Sequence, residues 1–277
     1  VYTVYKEYSL PNLIMLLRGD LTFMMKDDSF KDDLRPQLFG NKRFKGAYFR
    51  GVKYAGQLIA PFDTSEQQAE INHLLVKTYQ DQFDSQIDQI APIKLSWGID
   101  AFALTILYHK EIRNRIFLFP IETVAPTLDD LISWNAKAQQ IYEEDGVYGQ
   151  YGIKDRGHLD YVAYTLANPY LYGVNTHPSV IDKAAYLWSN IAELQAFSNG
   201  NKRTAMIAML VFLHSNGYDF VFHEGLKQEL IDFSIKIAVK SVDFQEISSY
   251  IFNNVRLNLF NEEWHTIEQL RDDKSQE

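Results

Sequence analysis

The stretch QAFSNGNKRTA, residues 195–205, joins two strongly apolar segments that both have helical spacing. Gly200 allows the backbone to turn sharply, and the N–H groups after it begin a helix without intrahelical partners. Such groups form a concave anion site, and Lys202 and Arg203 add positive charge beside it. Asn201 can brace the loop through its side chain. The stretch therefore predicts a phosphate-binding loop between two helices, and the alternative is an ordinary turn whose basic residues are solvated.

Helical periodicity continues on both sides of this loop. The segment 178–197 opens with Pro178 in a first-turn position and carries apolar residues on one broad face. The segment 202–217 is nearly all apolar, which predicts a central buried helix. Further helices are predicted over 127–146 with Thr127 as N-cap, over 223–241 and over 243–257.

The amino-terminal half has a different pattern, which mixes strands with helix. Glycines punctuate alternating aromatic and polar residues in 45–62, which predicts strands joined by tight turns. Residues 65–83 have amphipathic helical spacing, and 113–124 forms a strand until Pro120 stops it. The predicted fold is mainly α: a mixed α/β domain over 1–125, a helical domain over 126–260, and a charged, solvated or frayed tail over 261–277.

The composition narrows the classes of partner. The chain has 277 residues, a net charge of −9 and no cysteine. The overall field repels nucleic acid, so no DNA partner is expected and an anion site must be local. The longest apolar runs, such as 205–213, are shorter than the roughly 20 residues that cross a bilayer, so no membrane segment is expected. No signal peptide is evident, and the expected location is the cytoplasm.

The loop and its flanks together resemble the Fic/Doc family, whose motif is H-x-F-x-(D/E/N)-(G/A)-N-(K/R)-R, and the ending NKRTA is similar to the Doc branch. The resemblance extends in order through residues 152–169, 177–197, 205–220 and 226–251. It implies a helical domain that transfers AMP, phosphate or another phosphate-linked group from ATP or another nucleotide to a protein hydroxyl. It also implies that Phe197 anchors the loop, and that Asn199, Gly200, Asn201, Lys202 and Arg203 bind the nucleotide phosphates.

Two positions of the resemblance refine the expected chemistry. AMP-transferring relatives often have glycine at the position of Lys202, and a second arginine at the position of Met206. A Doc-like pose that transfers phosphate is therefore favoured over an AMP-transfer pose.

Two departures from the motif weaken the expected catalysis. Gln195 stands where the family has the histidine that takes a proton from the attacking hydroxyl, and a neutral amide cannot act as a general base. Asn199 stands where an acidic residue usually meets Mg²⁺, and it offers only a carbonyl oxygen. The leading interpretation is a binding or regulatory pseudoenzyme, and the rival is an active Doc-like toxin. His158, His177, His214 and His223 are not assigned as a replacement base, and Gln195 is either natural or engineered.

The resemblance also suggests two kinds of protein contact. Family members pair a target segment with a flap beside the site, which here predicts residues 147–155, with Tyr148, Tyr151 and Ile153 as contacts. The alternative is an aromatic loop packed on the core. No autoinhibitory (S/T)-x-x-x-E-(G/N) motif is present, and in Doc-type proteins an antitoxin chain commonly supplies that restraint.

Two stretches of the amino-terminal half, 46–54 and 113–123, resemble strands of ADP-ribosyltransferases. Arg50 matches the arginine of their first strand, but Glu111 lies in EIR rather than in the E-x-E or Q-x-E that they need. The alternative is a partner-recognition or dimerisation domain, with Tyr48, Phe49 and Tyr54 as core or interface aromatics.

Overall fold

The computed structural model of the chain describes residues 42–43, 48–49, 52–53, 56–83, 89–94, 101–108, 110–141, 152–221, 223–258 and 265–266. Their strands in the amino-terminal half are β1 (Lys42–Arg43), β2 (Tyr48–Phe49), β3 (Val52–Lys53), β4 (Gly56–Ala60), β5 (Gln89–Lys94), β6 (Phe102–Tyr108) and β7 (Glu111–Pro120). One helix, α1 (Ser65–Phe83), lies between β4 and β5. The predicted helix over 65–83 and the predicted strand that stops at Pro120 are both confirmed.

The amino-terminal sheet has four strands in the order β4-β7-β6-β5, in which β4 pairs parallel with β7 and the other neighbours are antiparallel. The short strands β2 and β3 form a separate hairpin. Helix α1 begins at a reciprocal cap, because Thr64 Oγ1 accepts the Gln67 N–H at 3.1 Å and Gln67 Oε1 accepts the Thr64 N–H at 3.2 Å.

The carboxy-terminal half is built mainly from helices. They are α2 (Leu128–Ile141), α3 (Arg156–Ala167), α4 (Val180–Leu194), α5 (Asn201–Ser215), α6 (Leu226–Ala238) and α7 (Phe244–Asn254). The strands between and after them are β8 (Tyr170–Leu171), β9 (Val174–Asn175), β10 (Tyr218–Phe220), β11 (Val255–Leu257) and β12 (His265–Thr266). The predicted fold class, mainly α with a mixed sheet in the amino-terminal half, is confirmed.

The helix starts follow local capping chemistry, with one difference from the sequence expectation. Thr127 Oγ1 accepts the Asp130 N–H at 3.2 Å, so the predicted cap of α2 is confirmed. Asp243 and Glu246 form a capping box at the start of α7. The start of α4 differs, because Ser179 is the N-cap and Pro178 therefore precedes the helix instead of lying in its first turn. Hydroxyl capping by Ser179 satisfies the Asp182 N–H, which proline cannot do.

Helices α4 and α5 form the centre of the core. Helix α5 is apolar on all sides, and nine of its fifteen residues are buried, as the sequence predicts. Trp188 of α4 is fully buried, and its indole N–H donates to Ser234 of α6 at 2.9 Å. The central pair therefore fixes where the turn between α4 and α5 lies.

The two halves of the chain share one hydrophobic cluster, which includes residues of β4, β6, β7 and α1 as well as the helices. Gly217 packs so closely on β4 that a Cβ there would lie 2.3 Å from the Ile59 carbonyl oxygen. The Asn216 side chain accepts the Val124 N–H at 2.8 Å and donates to the Val124 carbonyl at 3.1 Å. The division near residue 125 therefore marks a change of pattern along the chain, and separate domains stay a prediction.

The carboxy-terminal tail is not entirely free of regular pairing. Lys42 pairs with Thr266 and Arg43 with His265 in the two-stranded sheet β1-β12. Main-chain pairing thus involves residues 265–266, and the solvated or frayed end stays a prediction. Among the helices of the described residues, none combines the length and the hydropathy needed to cross a membrane.

Candidate functional site

The loop between α4 and α5 is set by two left-handed residues. Gln195 ends α4 with φ 47° and ψ 44°, and Gly200 precedes α5 with φ 76° and ψ 11°. The first intrahelical bond of α5 runs from the Thr204 N–H to the Gly200 carbonyl at 2.8 Å. The N–H groups of residues 201–203 therefore belong to the helix start, where geometry gives them no intrahelical acceptor. This is the arrangement that the sequence predicts for an anion nest.

Asn201 braces the loop in the way that the sequence predicts. Its Oδ1 accepts the Phe197 N–H at 2.9 Å, and its Nδ2 donates to the Phe197 carbonyl at 2.9 Å. Phe197 itself is buried, with 1% of its surface exposed. The side chain of Asn201 thus ties the first residue of α5 to an anchored residue of the loop.

A second clamp comes from α2, and sequence reasoning missed it. The amide of the buried Asn135 donates to the Asn199 carbonyl at 2.9 Å and to Thr204 Oγ1 at 2.9 Å. Gln139 donates to Asn135 Oδ1 at 2.9 Å and orients that amide. The sequence signal for this clamp was a pair of amide side chains four residues apart on the buried face of α2. Buried polar side chains need hydrogen-bond partners.

The position of Gly200 requires glycine for two reasons. Its φ of 76° is one that a side chain disfavours. In addition, a Cβ there would lie 3.2 Å from Gln139 Cγ and 3.3 Å from Asn135 Nδ2. Asn135 and Gln139 of α2 therefore pack directly against the turn at Gly200.

A cleft of about 400 Å³ opens above the loop. Its polar wall consists of Gln195 and residues 198–203, with Gln195 and Lys202 exposed and Arg203 partly buried. The rest of its lining consists of Ala192, Met206, Ile231, Ser234 and Ile235. The cleft thus brings together Gln195 and all the predicted phosphate-binding residues, and residues of α4, α5 and α6 complete its lining.

The donor set at the loop does not fit Mg²⁺. Asn199 Oδ1 accepts the Gly200 N–H at 2.7 Å and lies 3.5 Å from Arg203 Nη2, so it faces the loop and a cation. Mg²⁺ prefers one or two carboxylates besides phosphate oxygens. Across the residues that the structure describes, no group of three or more His, Cys, Asp or Glu side chains is placed to hold a metal.

The four histidines near the helical half do not line the cleft in the described structure. His214 Nδ1 lies 2.7 Å from Asp219 Oδ1, at the other end of α5. Burial opposes its protonation, but the charge and hydrogen bond of Asp219 raise the pKa of His214 above its usual value. His177 stacks on Tyr186 with ring centroids 4.4 Å apart, and burial lowers its pKa. Neither is placed beside Gln195.

The predicted flap lies partly within the described residues. Tyr148 and Tyr151 are outside them, whereas Ile153 forms an antiparallel bridge with Phe197. The N–H groups of Lys154 and Asp155 donate to the Ala196 carbonyl at 2.8 and 3.0 Å. The segment that enters α3 is therefore paired with the loop, and capture of a target segment by this flap stays a prediction.

Among the described residues of the amino-terminal half, none lines this cleft. Arg50 and Tyr54 lie outside the described residues, and Glu111 begins β7 opposite Tyr108. The ADP-ribosyltransferase and partner-recognition hypotheses therefore stay predictions.

The fold and the loop define a helical domain whose central buried helix begins at a basic, glycine-containing turn. Comparison with known proteins shows the family to which such a domain belongs. The model of the Fic/DOC family matches residues 125–213. The Toxin Doc of Mycolicibacterium smegmatis is 33% identical over 103 residues, which make up 36% of this chain and 76% of that relative. The chain belongs to the Fic/Doc family.

Proposed function

We propose that this protein binds the phosphates of ATP or another nucleotide at the start of α5, and that its transfer chemistry is lost or greatly weakened. Its role is then that of a binding or regulatory pseudoenzyme of the Fic/Doc family. The main support is that the loop has the glycine turn and the Asn201 brace of a phosphate-binding loop, while Gln195, which lines the cleft, is an amide. An amide offers hydrogen bonds but has no pKa near 7 with which to accept a proton.

Each loop residue has a defined part in this proposal. Backbone N–H groups of Asn201 and Lys202 point to phosphate oxygens, and the Arg203 guanidinium adds a bidentate charged contact. Gly200 keeps a side chain out of the turn. Because Asn199 Oδ1 is held by the loop, we expect binding that does not depend on Mg²⁺.

The pose of the nucleotide follows from two residues of the cleft. The exposed Lys202 adds a charge beside the helix start, and Met206 presents an apolar side chain on the next turn. One phosphate group is therefore held at the helix start, and a second has no charged partner at Met206. This favours the Doc-like orientation over the AMP-transfer orientation.

Calorimetry with the full chain tests the binding part of the proposal. ATP is expected to bind with and without magnesium, and Arg203→Ala is expected to weaken binding at least tenfold, because a charge-assisted hydrogen bond contributes roughly 1.5–3 kcal/mol. Lys236→Ala removes a cation from α6 outside the cleft lining and is the matched control. Absence of heat with ATP, or equal affinity of the wild type and Arg203→Ala, contradicts the binding site.

The rival function is an active Doc-like toxin that modifies a protein hydroxyl. It is favoured by the similarity to Toxin Doc. Purified protein incubated with radiolabelled ATP and cell lysate separates the two. A labelled band that Arg203→Ala abolishes would overturn the pseudoenzyme proposal. Gln195→His is the complementary variant, because transfer that appears only with the imidazole shows that the proton acceptor alone is missing.

The partners follow from the same proposal. We infer a protein partner, either a target whose segment pairs with the flap or an antitoxin-like chain, and a cytoplasmic location where nucleotide is present. No nucleic acid is expected to bind, because the chain carries a net charge of −9.

A further inference from the structure

A short segment of the helical half exposes several large apolar and aromatic side chains. We call it the tyrosine face, and it comprises Tyr161 and Tyr164 of α3 together with Tyr170, Leu171, Tyr172 and Val174 of the β8-β9 hairpin. Each of these side chains has at least 57% of its surface exposed, and Tyr172 at the hairpin tip reaches 97%. All six lie within fourteen consecutive residues, and none lines the cleft at the loop.

The hairpin that carries this face is a defined structure. Tyr172 and Gly173 both have positive φ, 50° and 81°, as a two-residue hairpin turn requires. Its base is closed by Thr176, whose N–H and Oγ1 both reach the Pro169 carbonyl, at 3.0 and 3.2 Å. The aromatic side chains are therefore presented by a hydrogen-bonded scaffold, so little order is lost when they are covered.

The area of the tyrosine face matches one side of a stable interface. Because an aromatic side chain offers roughly 150–250 Å², the six residues expose on the order of 800 Å². A standard-size interface takes about 800 Å² from each partner. A face of this size and composition is expected to be covered in solution.

The charges indicate what covers it. Residues 161–181 contain no Asp, Glu, Lys or Arg, although these types make up 23% of the chain. A neutral face gives a charged partner no electrostatic selectivity. For a chain with a net charge of −9, it is instead the face on which two copies meet with the least repulsion.

The backbone of the hairpin is self-complementary as well. Within the described part of the chain, β8 and β9 pair only with each other, so each strand keeps one outer edge. The same edge from two copies can pair antiparallel across a twofold axis, which closes the assembly. We propose that the tyrosine face is a homodimer interface, and that its occupant is a second copy of this chain.

Sedimentation velocity of the full chain tests this proposal from about 1 to about 100 µM, the range in which the weakest interfaces of this size associate. The wild type is expected to form a dimer. Tyr172→Asp introduces a residue type that tolerates positive φ, and it places a carboxylate in the interface. It is expected to raise the dimer dissociation constant by roughly 30-fold or more, as loss of a hot-spot residue does. Tyr164→Glu, on α3, is expected to act in the same direction.

Val239→Glu is the matched control, because Val239 is an apolar residue with 67% exposure that lies outside the tyrosine face. This variant is expected to dimerise like the wild type. Circular dichroism of each variant separates loss of the dimer from loss of the fold. A wild type that stays monomeric at the highest concentration overturns the proposal, and such a result would favour a different protein as the occupant. A dimer that survives both tyrosine substitutions, or that Val239→Glu weakens equally, overturns it too.

Discussion

The side-chain amide of Asn201 forms two hydrogen bonds with the backbone of Phe197, one to its N–H and one to its carbonyl, both 2.9 Å long. An asparagine amide has a donor and an acceptor in one plane, and so it can replace the missing main-chain partner of an extended residue. Because Phe197 is anchored in the core, the start of α5 is fixed relative to the loop before any ligand arrives. Phosphate binding then needs little reordering.

Replacement of Asn201 by alanine is expected to weaken ATP binding more than it destabilises the fold. Both bonds to Phe197 are lost, which costs about 1–2 kcal/mol of stability, while the loose helix start reduces ATP affinity by tenfold or more. Asn190→Ala is the matched control, since its amide also bonds a carbonyl four residues earlier, at 2.9 Å, outside the cleft. Calorimetry and urea unfolding of both variants make the comparison. Equal loss of ATP affinity in the two variants would refute a specific role for Asn201.

The clamp from α2 gives a second prediction. Asn135→Asp removes the donor to Asn199 and Thr204 and buries a carboxylate beside the anion loop. We expect a loss of ATP affinity larger than in Asn135→Ala, because the added charge repels phosphate. Titration with ATP at two ionic strengths is the measurement, and salt should reduce the difference between the variants. If Asn135→Asp binds ATP as well as Asn135→Ala does, the carboxylate does not face the anion site.

Alanine substitutions at two glycines distinguish the cost of backbone strain from the cost of steric contact at the loop. Gly200 and Gly225 both precede helices in left-handed geometry, with φ of 76° and 89°, but a Cβ at Gly225 meets nothing within 4 Å. Gly225→Ala is expected to cost about 1–2 kcal/mol from φ alone. Gly200→Ala is expected to cost more than that and to reduce ATP affinity, because its Cβ presses on Gln139 and Asn135. Urea denaturation of both variants measures the two losses of stability. Equal losses would show that Gln139 and Asn135 move aside at no cost when a Cβ is added at Gly200.

Local features of this fold were predictable from sequence, whereas the contacts that unite it were not. The bounds of α1, the end of β7 at Pro120 and the brace of Asn201 each depend on residues a few positions apart. The bond from Asn135 to the Asn199 carbonyl joins residues 64 positions apart, and a local pattern carries no information on such a pair. The two exposed edges and the uncharged stretch around Tyr172 become a surface only when the hairpin is placed in space.

The contact between the halves predicts an unusually severe glycine substitution. Gly217→Ala would place a Cβ 2.3 Å from the Ile59 carbonyl oxygen and 3.0 Å from Ala60 Cβ, at a φ of 87°. Because β4 is held by β7, we expect a loss of stability of roughly 3 kcal/mol or more, beyond the cost of φ alone. Gly173→Ala, with a φ of 81° and open space, is the control. Similar midpoints of thermal unfolding for the two variants would contradict tight packing at this junction.

Glu70 of α1 gives the last prediction, because it caps a helix of the other half while buried. Its two carboxyl oxygens accept the N–H groups of Val180 and Ile181, each at 3.2 Å. Burial is the main cause that raises the pKa of Glu70 from 4.5 to about 7; the nearby Asp182 acts in the same direction, whereas the polar groups of Ser179, Tyr218 and Ile181 act against it. The folded protein therefore holds this proton more tightly than the unfolded chain does.

Because the pKa of Glu70 is higher in the folded protein than in the unfolded chain, the stability that Glu70 contributes decreases as the pH rises. Protonated Glu70 contributes its full stability below pH 4.5, that contribution falls as the pH rises through about 7, and it stays lost above. The unfolding free energy of the wild type relative to Glu70→Gln should thus drop by on the order of 3 kcal/mol between pH 4.5 and pH 8, since glutamine does not titrate. Urea unfolding of both proteins across this range measures the drop. A difference that grows with pH would mean that the α4 N–H groups hold the ionised carboxylate more strongly than burial opposes it.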